Sequence, residues 1–217
     1  TKIGINLNLA PVADLASDQN PSYAMRCLGS DADGVADLLD DFVSGMREGG
    51  LSVTLKTFPG IGNVSADVTE SIAENTDSLM TIRDTNFVPY ASGIQAGADC
   101  VMVSNAAYSK LTVKKVPAFM SQDIVTQLLR EELGFDGIVM TSPLNDNVIE
   151  NNYTNEFAVV EAVKAGCDLI VLPGNFKECY EALITAVEEG RIDEKVINTS
   201  VRRILQNKIQ RGILVLE

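Results

Sequence analysis

The amino-acid sequence predicts an α/β protein of parallel strand–helix units, a (β/α) barrel of the TIM type that lacks its first strands. Five short runs rich in β-branched residues are apolar at nearly every position, which is typical of strands covered on both faces. Helical patterns separate these runs, and polar residues follow several of them at their carboxyl ends. The predicted strands cover residues 3–12, 51–57, 100–104, 138–141 and 169–172.

The segments between the predicted strands carry helical patterns. Apolar residues at helical spacing predict one helix between Val35 and Met46, which ends before a Gly-Gly pair. Strands that alternate with helices indicate βαβ crossovers, and therefore a parallel sheet. Further helices are predicted over residues 124–133, 158–165 and 180–187, and over residues 196–209 after an N-cap at Asp193.

The residues at the strand ends distinguish a barrel from an open dinucleotide-binding sheet. The first predicted strand ends in A-P-V-A-D at residues 10–14, without the G-x-G-x-x-G turn that binds a dinucleotide. Polar side chains at the carboxyl ends of several strands are typical of a β/α barrel, and here they are Asp14, Lys56, Ser104, Asn105 and Ser142. A complete barrel takes about 250 residues, so a chain of 217 residues with five strands falls short at its front.

The chain shows no linker, repeat or composition shift, so residues 1–217 are predicted to form a single domain, the C-terminal part of the barrel. One long irregular stretch, residues 58–78, follows the second predicted strand. Loops of that length are usually functional or disordered, and in a barrel the loops after the strands build the active site.

Charge and composition exclude several classes of function. The net charge of −13 repels phosphate backbones, so no nucleic-acid partner is predicted. No apolar run approaches the length that crosses a bilayer. The four cysteines form no C-x-x-C pair and the chain has no histidine, so neither a metal site nor a cofactor is predicted. Cytoplasmic and secreted or lipoprotein contexts both stay open.

Several motifs occur in order along the chain at consistent spacing. They are G-I-N-L-N-L-A-P-V-A-D at 4–14, R-C-L-G-S-D at 26–31, K-T-F-P-G-I-G-N at 56–63, L-R-E-E-L-G-F-D-G at 129–137 and S-V-R-R-I-L at 200–205. Together they resemble glycoside hydrolase family 3, whose usual signature is K-H-F-P-G-H-G-D, and they are closest to its β-N-acetylhexosaminidase branch. Because the chain begins at Thr1, we expect the missing strands and the family's D-Q-E-G-G turn on upstream chain or on a partner chain.

The resemblance implies a retaining exo-glycosidase that acts on terminal β-linked sugars, but the positions that carry the chemistry have changed. The nucleophile, normally the Asp of a T-D strand end, is Ser142 here. The acid/base histidine of a D-S-H loop is Thr69, although its aspartate partner remains as Asp67. Two signature histidines appear as Thr57 and Ile61. A threonine does not titrate near neutral pH, so it cannot act as the acid/base, and a neutral serine cannot stabilise an oxocarbenium-like centre as a carboxylate does.

The substrate-binding positions that the resemblance retains are Arg26, Lys56 and Asp14, with Asn105 in place of a strand-end histidine. These cations could equally form ion pairs with Asp14 or Asp67 inside the barrel mouth. Three hypotheses follow: an impaired relative that keeps carbohydrate binding or serves as a scaffold, an active glycosidase with substitute residues such as Asp67 or Asp146, and a protein-interaction module that covers exposed sheet edges.

Overall fold

The computed structural model describes residues 3–64 and 67–215 and has an α/β architecture. Its strands are β1 (Leu7–Asn8), β2 (Ser52–Phe58), β3 (Glu74–Asn75), β4 (Cys100–Val103), β5 (Ala107–Tyr108) and β6 (Ile138–Thr141). Its α-helices are α1 (Pro21–Ala24), α2 (Ala32–Glu48), α3 (Leu79–Asp84), α4 (Phe87–Gln95), α5 (Asn147–Glu150), α6 (Asn155–Ala165), α7 (Phe176–Glu188) and α8 (Glu194–Gln210). A 3-10 turn (Ala118–Met120) and a π-helix (Asp123–Glu132) lie between β5 and β6.

Four strands form one sheet in the order β1-β2-β4-β6, and every pair in it is parallel. Helices connect consecutive strands of this sheet, as parallel pairing requires. The predicted α/β fold with a parallel sheet is confirmed. The register shifts between Lys56 and Phe58, so β2 bulges where it reaches its carboxyl end. A separate two-stranded ribbon pairs β3 with β5.

Both faces of the central strands are buried, as their continuous apolar pattern predicts. Val101, Val103 and Val139 belong to the main core beneath the helices. Cys100, Met102, Ile138 and Met140 form a second cluster on the other face of the same strands. Successive residues of a strand point to opposite faces, so a strand buried on both sides must be apolar throughout.

The first and last predicted strands are shorter than expected. Residues 3–12 contain only the two-residue strand β1 and a single bridge from Val12 to Lys56. Pro11 has no N–H to donate to a ladder, which limits regular pairing there. Residues 169–172 make one bridge, at Leu169. Leu172 has a φ of 45°, so it leaves the extended conformation at this point.

The stretch after β2 contains more structure than the sequence pattern predicts. The ribbon strand β3 lies within residues 58–78, and helices α3 and α4 follow it before β4. Helix α4 buries Phe87, Tyr90 and Gly93, so it lacks the polar face that makes a helix recognisable from spacing. A Cβ at Gly93 would lie 2.8 Å from the Leu55 side chain, so glycine permits the close approach of α4 to β2.

Apolar side chains remain exposed at both margins of the described sheet. Next to β1 they include Ile3 and Leu9, which are 80% and 41% exposed, and on α7 they include Phe176 and Tyr180. Further barrel strands beside residues 3–12 would cover the first group, and their presence stays a prediction. Within the described ranges, no helix is both long enough and apolar enough to cross a bilayer.

Two buried aspartates attach the last helix to the amino ends of the strands. Asp168, just before Leu169, accepts hydrogen bonds from Arg130, Arg203 and Ser200, and the last two lie on α8. Asp99, just before β4, accepts from Asn207 and Arg211 near the end of the same helix. These carboxylates therefore hold α8 across the face opposite to the carboxyl ends of the strands.

We predict that Asp168→Ala destabilises the protein by about 3–5 kcal/mol, because it leaves the largely buried positive charge of Arg130 without its carboxylate partner. Thermal and urea unfolding of the full-length protein measure the loss. Glu181→Ala removes only the exposed ion pair with Lys177 and should change stability by less than about 0.5 kcal/mol. Equal effects of the two variants would contradict a structural role for the buried carboxylate.

Candidate functional site

A polar cleft of about 600 Å³ opens at the carboxyl ends of the parallel strands. Side chains from the β2 end, the segment around α1, the loop after β2 and the loops after β4 and β6 converge on it. This is the end of a β/α sheet at which binding and catalytic residues are found. The lining residues are Gln19, Asn20, Pro21, Ser22, Tyr23, Arg26, Lys56, Thr57, Ile61, Asp67, Val68, Thr69, Asn105, Ser142, Pro143 and Asp146.

The loop after β2 owes its path to glycines in the K-T-F-P-G-I-G-N motif. Gly60 has a φ of 113°, a conformation that side chains disfavour. A Cβ at Gly62 would lie 1.8 Å from the Leu15 carbonyl oxygen, so only glycine fits. These glycines let the loop return against the segment after β1, where Ile61 lies buried on the cleft wall.

Lys56 and Arg26 both line the cleft. Lys56 is half-buried; burial lowers the pKa of its ammonium group, the positive charge of Arg26 lowers it further, and the charge of Asp14 opposes this. Arg26 is exposed, and its guanidinium lies 5.1 Å from the centre of the Tyr23 ring. In the part of the chain that the structure describes, neither cation forms an ion pair with a carboxylate. The predicted pairing of these cations with Asp14 or Asp67 is therefore absent among the described residues.

Asp14 lies beneath the cleft rather than on its wall, and it is only 1% exposed. Its Oδ2 accepts hydrogen bonds from the hydroxyls of Tyr23 and Thr57, each at 2.7 Å. Its Oδ1 accepts from the Thr57 N–H at 3.0 Å and from the Tyr90 hydroxyl at 2.7 Å. Burial raises the pKa of the Asp14 carboxyl, and these four hydrogen bonds oppose the rise. Tyr23 and Thr57 thus separate Asp14 from any ligand in the cleft.

Ser142 follows β6 directly and is buried at the cleft wall. Its hydroxyl donates a hydrogen bond to the Val103 carbonyl at 2.9 Å, and its N–H donates to the same oxygen. The hydroxyl proton is therefore held by the neighbouring strand, and no base accepts it.

Asp67 and Thr69 form a closed local turn at the edge of the cleft. Asp67 Oδ1 accepts from the Thr69 N–H at 2.9 Å and from the Thr69 hydroxyl at 2.7 Å. These two hydrogen bonds lower the pKa of the exposed Asp67 carboxyl. Asp67 is consequently held as a carboxylate, and Thr69 serves it as a donor.

Asn105 and Asp146 are joined on the wall next to Ser142. The Asn105 Nδ2 donates to Asp146 Oδ2 at 2.9 Å, while Asn105 itself is 1% exposed. Burial raises the pKa of the Asp146 carboxyl, the negative charges of Asp67 and Glu70 raise it further, and the hydrogen bond from Asn105 opposes this. The cleft thus holds two carboxyls whose pKa values are displaced in opposite directions.

The structure brings together most of the residues that the sequence singled out. Arg26, Lys56, Asp67, Thr69, Asn105 and Ser142 all line one cleft, whereas Asp14 lies behind it. Sequence reasoning missed the tyrosines: Tyr23 forms part of the wall, and Tyr90 supports Asp14 from α4. No spacing pattern links these tyrosines to Asp14, so only the folded chain identifies them. Among the described residues, no cluster of three or more carboxylate or thiol side chains could hold a metal ion.

The parallel strand–helix fold and the polar cleft at its carboxyl edge define a protein of the β/α-barrel class. The family model for the glycosyl hydrolase family 3 N-terminal domain matches residues 1–207. The chain therefore belongs to glycoside hydrolase family 3.

Comparisons with individual proteins agree with this assignment. A β-hexosaminidase from Xylella fastidiosa is 32% identical over 169 residues, which cover 78% of this chain and 50% of that protein. A β-hexosaminidase from Stenotrophomonas maltophilia is 32% identical over 97% of this chain and 59% of its own length. The chain thus spans about half the length of the curated relatives it matches.

The fold is also similar to solved structures. A family 3 β-N-acetylglucosaminidase from Paenibacillus sp. str. FPU-7 superposes with a TM-score of 0.94 at 33% sequence identity. The match covers 99% of this chain and 43% of that one. The prediction of a TIM-type barrel, present here in part, is therefore confirmed.

We predict that Tyr90→Phe destabilises the protein by about 1.5–3 kcal/mol, the usual contribution of a hydrogen bond to a charged group. The substitution deprives the buried Asp14 carboxylate of one donor and leaves packing intact. Tyr180→Phe, at a 57% exposed position, is the matched control and should be neutral. Urea unfolding of both variants measures the difference, and equal midpoints would contradict the importance of the Asp14 network.

We also predict that Asp146→Asn raises the melting temperature at pH 7. The folded protein raises the pKa of this carboxyl above 3.8, so ionisation above that pH costs folded-state stability. The asparagine keeps an acceptor for Asn105 but carries no charge beside Asp67 and Glu70. The gain in melting temperature should shrink as pH falls toward and below 3.8. A gain that is independent of pH would contradict a raised pKa of the Asp146 carboxyl in the folded protein.

Proposed function

We propose that this chain forms the sugar-binding barrel of a protein that recognises a terminal β-linked sugar but does not hydrolyse it by the covalent route of its family. The observation that carries this proposal is the hydrogen bond of Ser142 to the Val103 carbonyl. It occurs at the strand end where the family resemblance implies the nucleophilic carboxylate.

Retention of configuration needs a carboxylate that attacks the anomeric carbon and a second group that protonates the leaving oxygen. A serine hydroxyl becomes a nucleophile only when a base accepts its proton. The Ser142 proton is donated to a backbone carbonyl, and this chain contains no histidine to accept it. The first step of the family reaction therefore lacks its nucleophile.

The acid/base position supports the same conclusion. Thr69 occupies the position that the resemblance implies for the catalytic histidine, and its hydroxyl donates to Asp67. Threonine does not titrate near neutral pH, so this turn cannot donate a proton to the leaving group as a histidine does. Asp67 remains ionised and exposed, which suits a hydrogen-bond acceptor better than an acid.

Retained binding is supported by the cations of the cleft. Lys56 and Arg26 line it without carboxylate partners among the described residues, so their N–H groups can donate to ligand hydroxyls. A half-buried, unpaired ammonium costs free energy that a ligand would partly recover. The sugar specificity in the names of the relatives, β-hexosaminidase, makes a terminal β-linked hexosamine the preferred ligand class.

A second candidate, an active glycosidase with substitute residues, is favoured by one observation. Asp67 and Asp146 line the same cleft, and their pKa values move apart, one lowered and one raised. Such divergence is the pattern of carboxyl pairs that divide the roles of base and acid. Asp146 would then protonate the leaving oxygen.

The two candidates differ in a hydrolysis assay of the full-length protein with a nitrophenyl N-acetyl-β-glucosaminide. We expect no turnover above background from the natural chain. A Ser142→Asp, Thr69→His double variant restores both missing groups, and we expect its rate to rise at least about 100-fold, the lower range for acid–base catalysis. Natural turnover at ordinary enzyme rates, lost in Asp67→Asn or Asp146→Asn, would overturn the proposal in favour of the second candidate.

Binding is tested separately by calorimetry with the same class of sugar. We expect Lys56→Met to weaken binding about tenfold, the loss of a hydrogen bond from a charged donor. Lys195→Met changes charge equally on the exposed surface of α8 and is the control. Unchanged affinity in Lys56→Met would contradict its role in the cleft.

A further inference from the structure

One corner of the cleft is acidic. Asp67 and Asp146 line the cleft, and Glu70 is close enough to raise the pKa of Asp146 by its negative charge. We call these three residues the acidic corner. Glu70 also accepts a hydrogen bond from Asn147, on the helix that follows Asp146.

The acidic corner has no compensating cation within the part of the chain that the structure describes. Its three carboxylates take part in hydrogen bonds with Thr69, Asn105 and Asn147, but in none of the ion pairs. Like charges held together without a counter-charge repel one another, and a bound cation relieves that repulsion.

A buried acceptor without a partner adjoins the acidic corner. Asn105 lines the cleft and is 1% exposed, and its Nδ2 donates to Asp146. Its Oδ1 is buried and accepts no hydrogen bond from any described residue. A buried polar atom without a partner costs about 1–3 kcal/mol, so this acceptor favours a ligand that brings a donor.

The two cationic side chains of the cleft, Lys56 and Arg26, also lie close to each other. Lys56 and Arg26 are close enough for one to lower the pKa of the other, and neither pairs with the acidic corner. The cleft is therefore bipolar, with donors at one part of its wall and acceptors at another. A ligand must present a donor-rich or cationic group to the second part.

We infer that the acidic corner, together with Asn105, binds the protonated amino group of a sugar, so that the cleft prefers an amino sugar with a free amine over its N-acetylated form. This inference rests on the proposed sugar binding. An ammonium group carries three donors and a full positive charge, whereas a hydroxyl offers one donor and leaves the repulsion in place. Among the described residues, the corner provides no group of three or more carboxylate or thiol side chains that could hold a metal ion.

The test compares two probes on the full-length protein by calorimetry, the β-linked glucosamine disaccharide and its di-N-acetylated form, at a pH that keeps the amine protonated. We expect the free amine to bind about two- to fivefold more tightly, the scale of a partly exposed ion pair. Added salt should reduce this preference, because it screens the charges. Tighter or equal binding of the acetylated probe would overturn the inference.

Variants separate this inference from the proposed function. Asp146→Asn should remove most of the preference for the free amine, and Glu70→Gln should reduce it. Asp136→Asn makes the same charge change at an exposed position outside the cleft and should leave both affinities unchanged. Equal effects of Asp146→Asn and Asp136→Asn would reject the acidic corner while sugar binding stands. Failure of both probes to bind the natural protein would reject the proposed function and the inference together.

Discussion

The buried carboxylate of Asp14 is the interaction on which the geometry of the cleft depends. It joins the exit of β1, the short helix α1 through Tyr23, the bulged end of β2 through Thr57 and helix α4 through Tyr90. Four N–H or O–H groups donate hydrogen bonds to the two carboxylate oxygens of Asp14. Because these hydrogen bonds replace water, the carboxylate can be charged although Asp14 is only 1% exposed. Because the hydroxyl protons of Tyr23 and Thr57 point down to Asp14, these groups present only lone pairs to the cleft.

The other end of the sheet, formed by the amino ends of the strands, has a different function. Asp99 and Asp168 stand before β4 and Leu169 and bind groups on α8 as well as backbone N–H groups of neighbouring strands. These networks close the amino ends of the strands. At the other ends of the strands, the cations and carboxylates of the cleft form no ion pairs among the described residues. This division is expected of a β/α barrel, in which one face carries stability and the other carries binding.

Sequence patterns predicted the elements that have a clear period. Helices α2 and α8 have one polar and one apolar face, and β4 and β6 are apolar throughout. Helix α4 was not predicted, because it is buried on most sides and therefore lacks the alternation of polar and apolar faces that identifies a helix. The motifs located most of the candidate residues that line the cleft, but they also placed Asp14 among the substrate-binding residues. Asp14 lies behind the cleft wall, where it accepts a hydrogen bond from Tyr90, 76 positions away. Hydrogen-bond partners that distant depend on packing, which no local pattern records.

The proposed function, sugar binding without hydrolysis, has a physical basis in the distribution of negative charge around the cleft. In a retaining glycosidase one carboxylate must stand directly below the anomeric carbon, at the end of a strand. The family resemblance places a neutral serine, Ser142, at that position, where it is hydrogen-bonded to the sheet. The carboxylate of Asp146 belongs to the following loop and accepts a hydrogen bond from Asn105. Binding tolerates such a displacement, because hydrogen bonds and ion pairs can form from several positions on a cleft wall. Attack on one carbon atom does not tolerate it, because nucleophilic displacement requires a close and aligned approach.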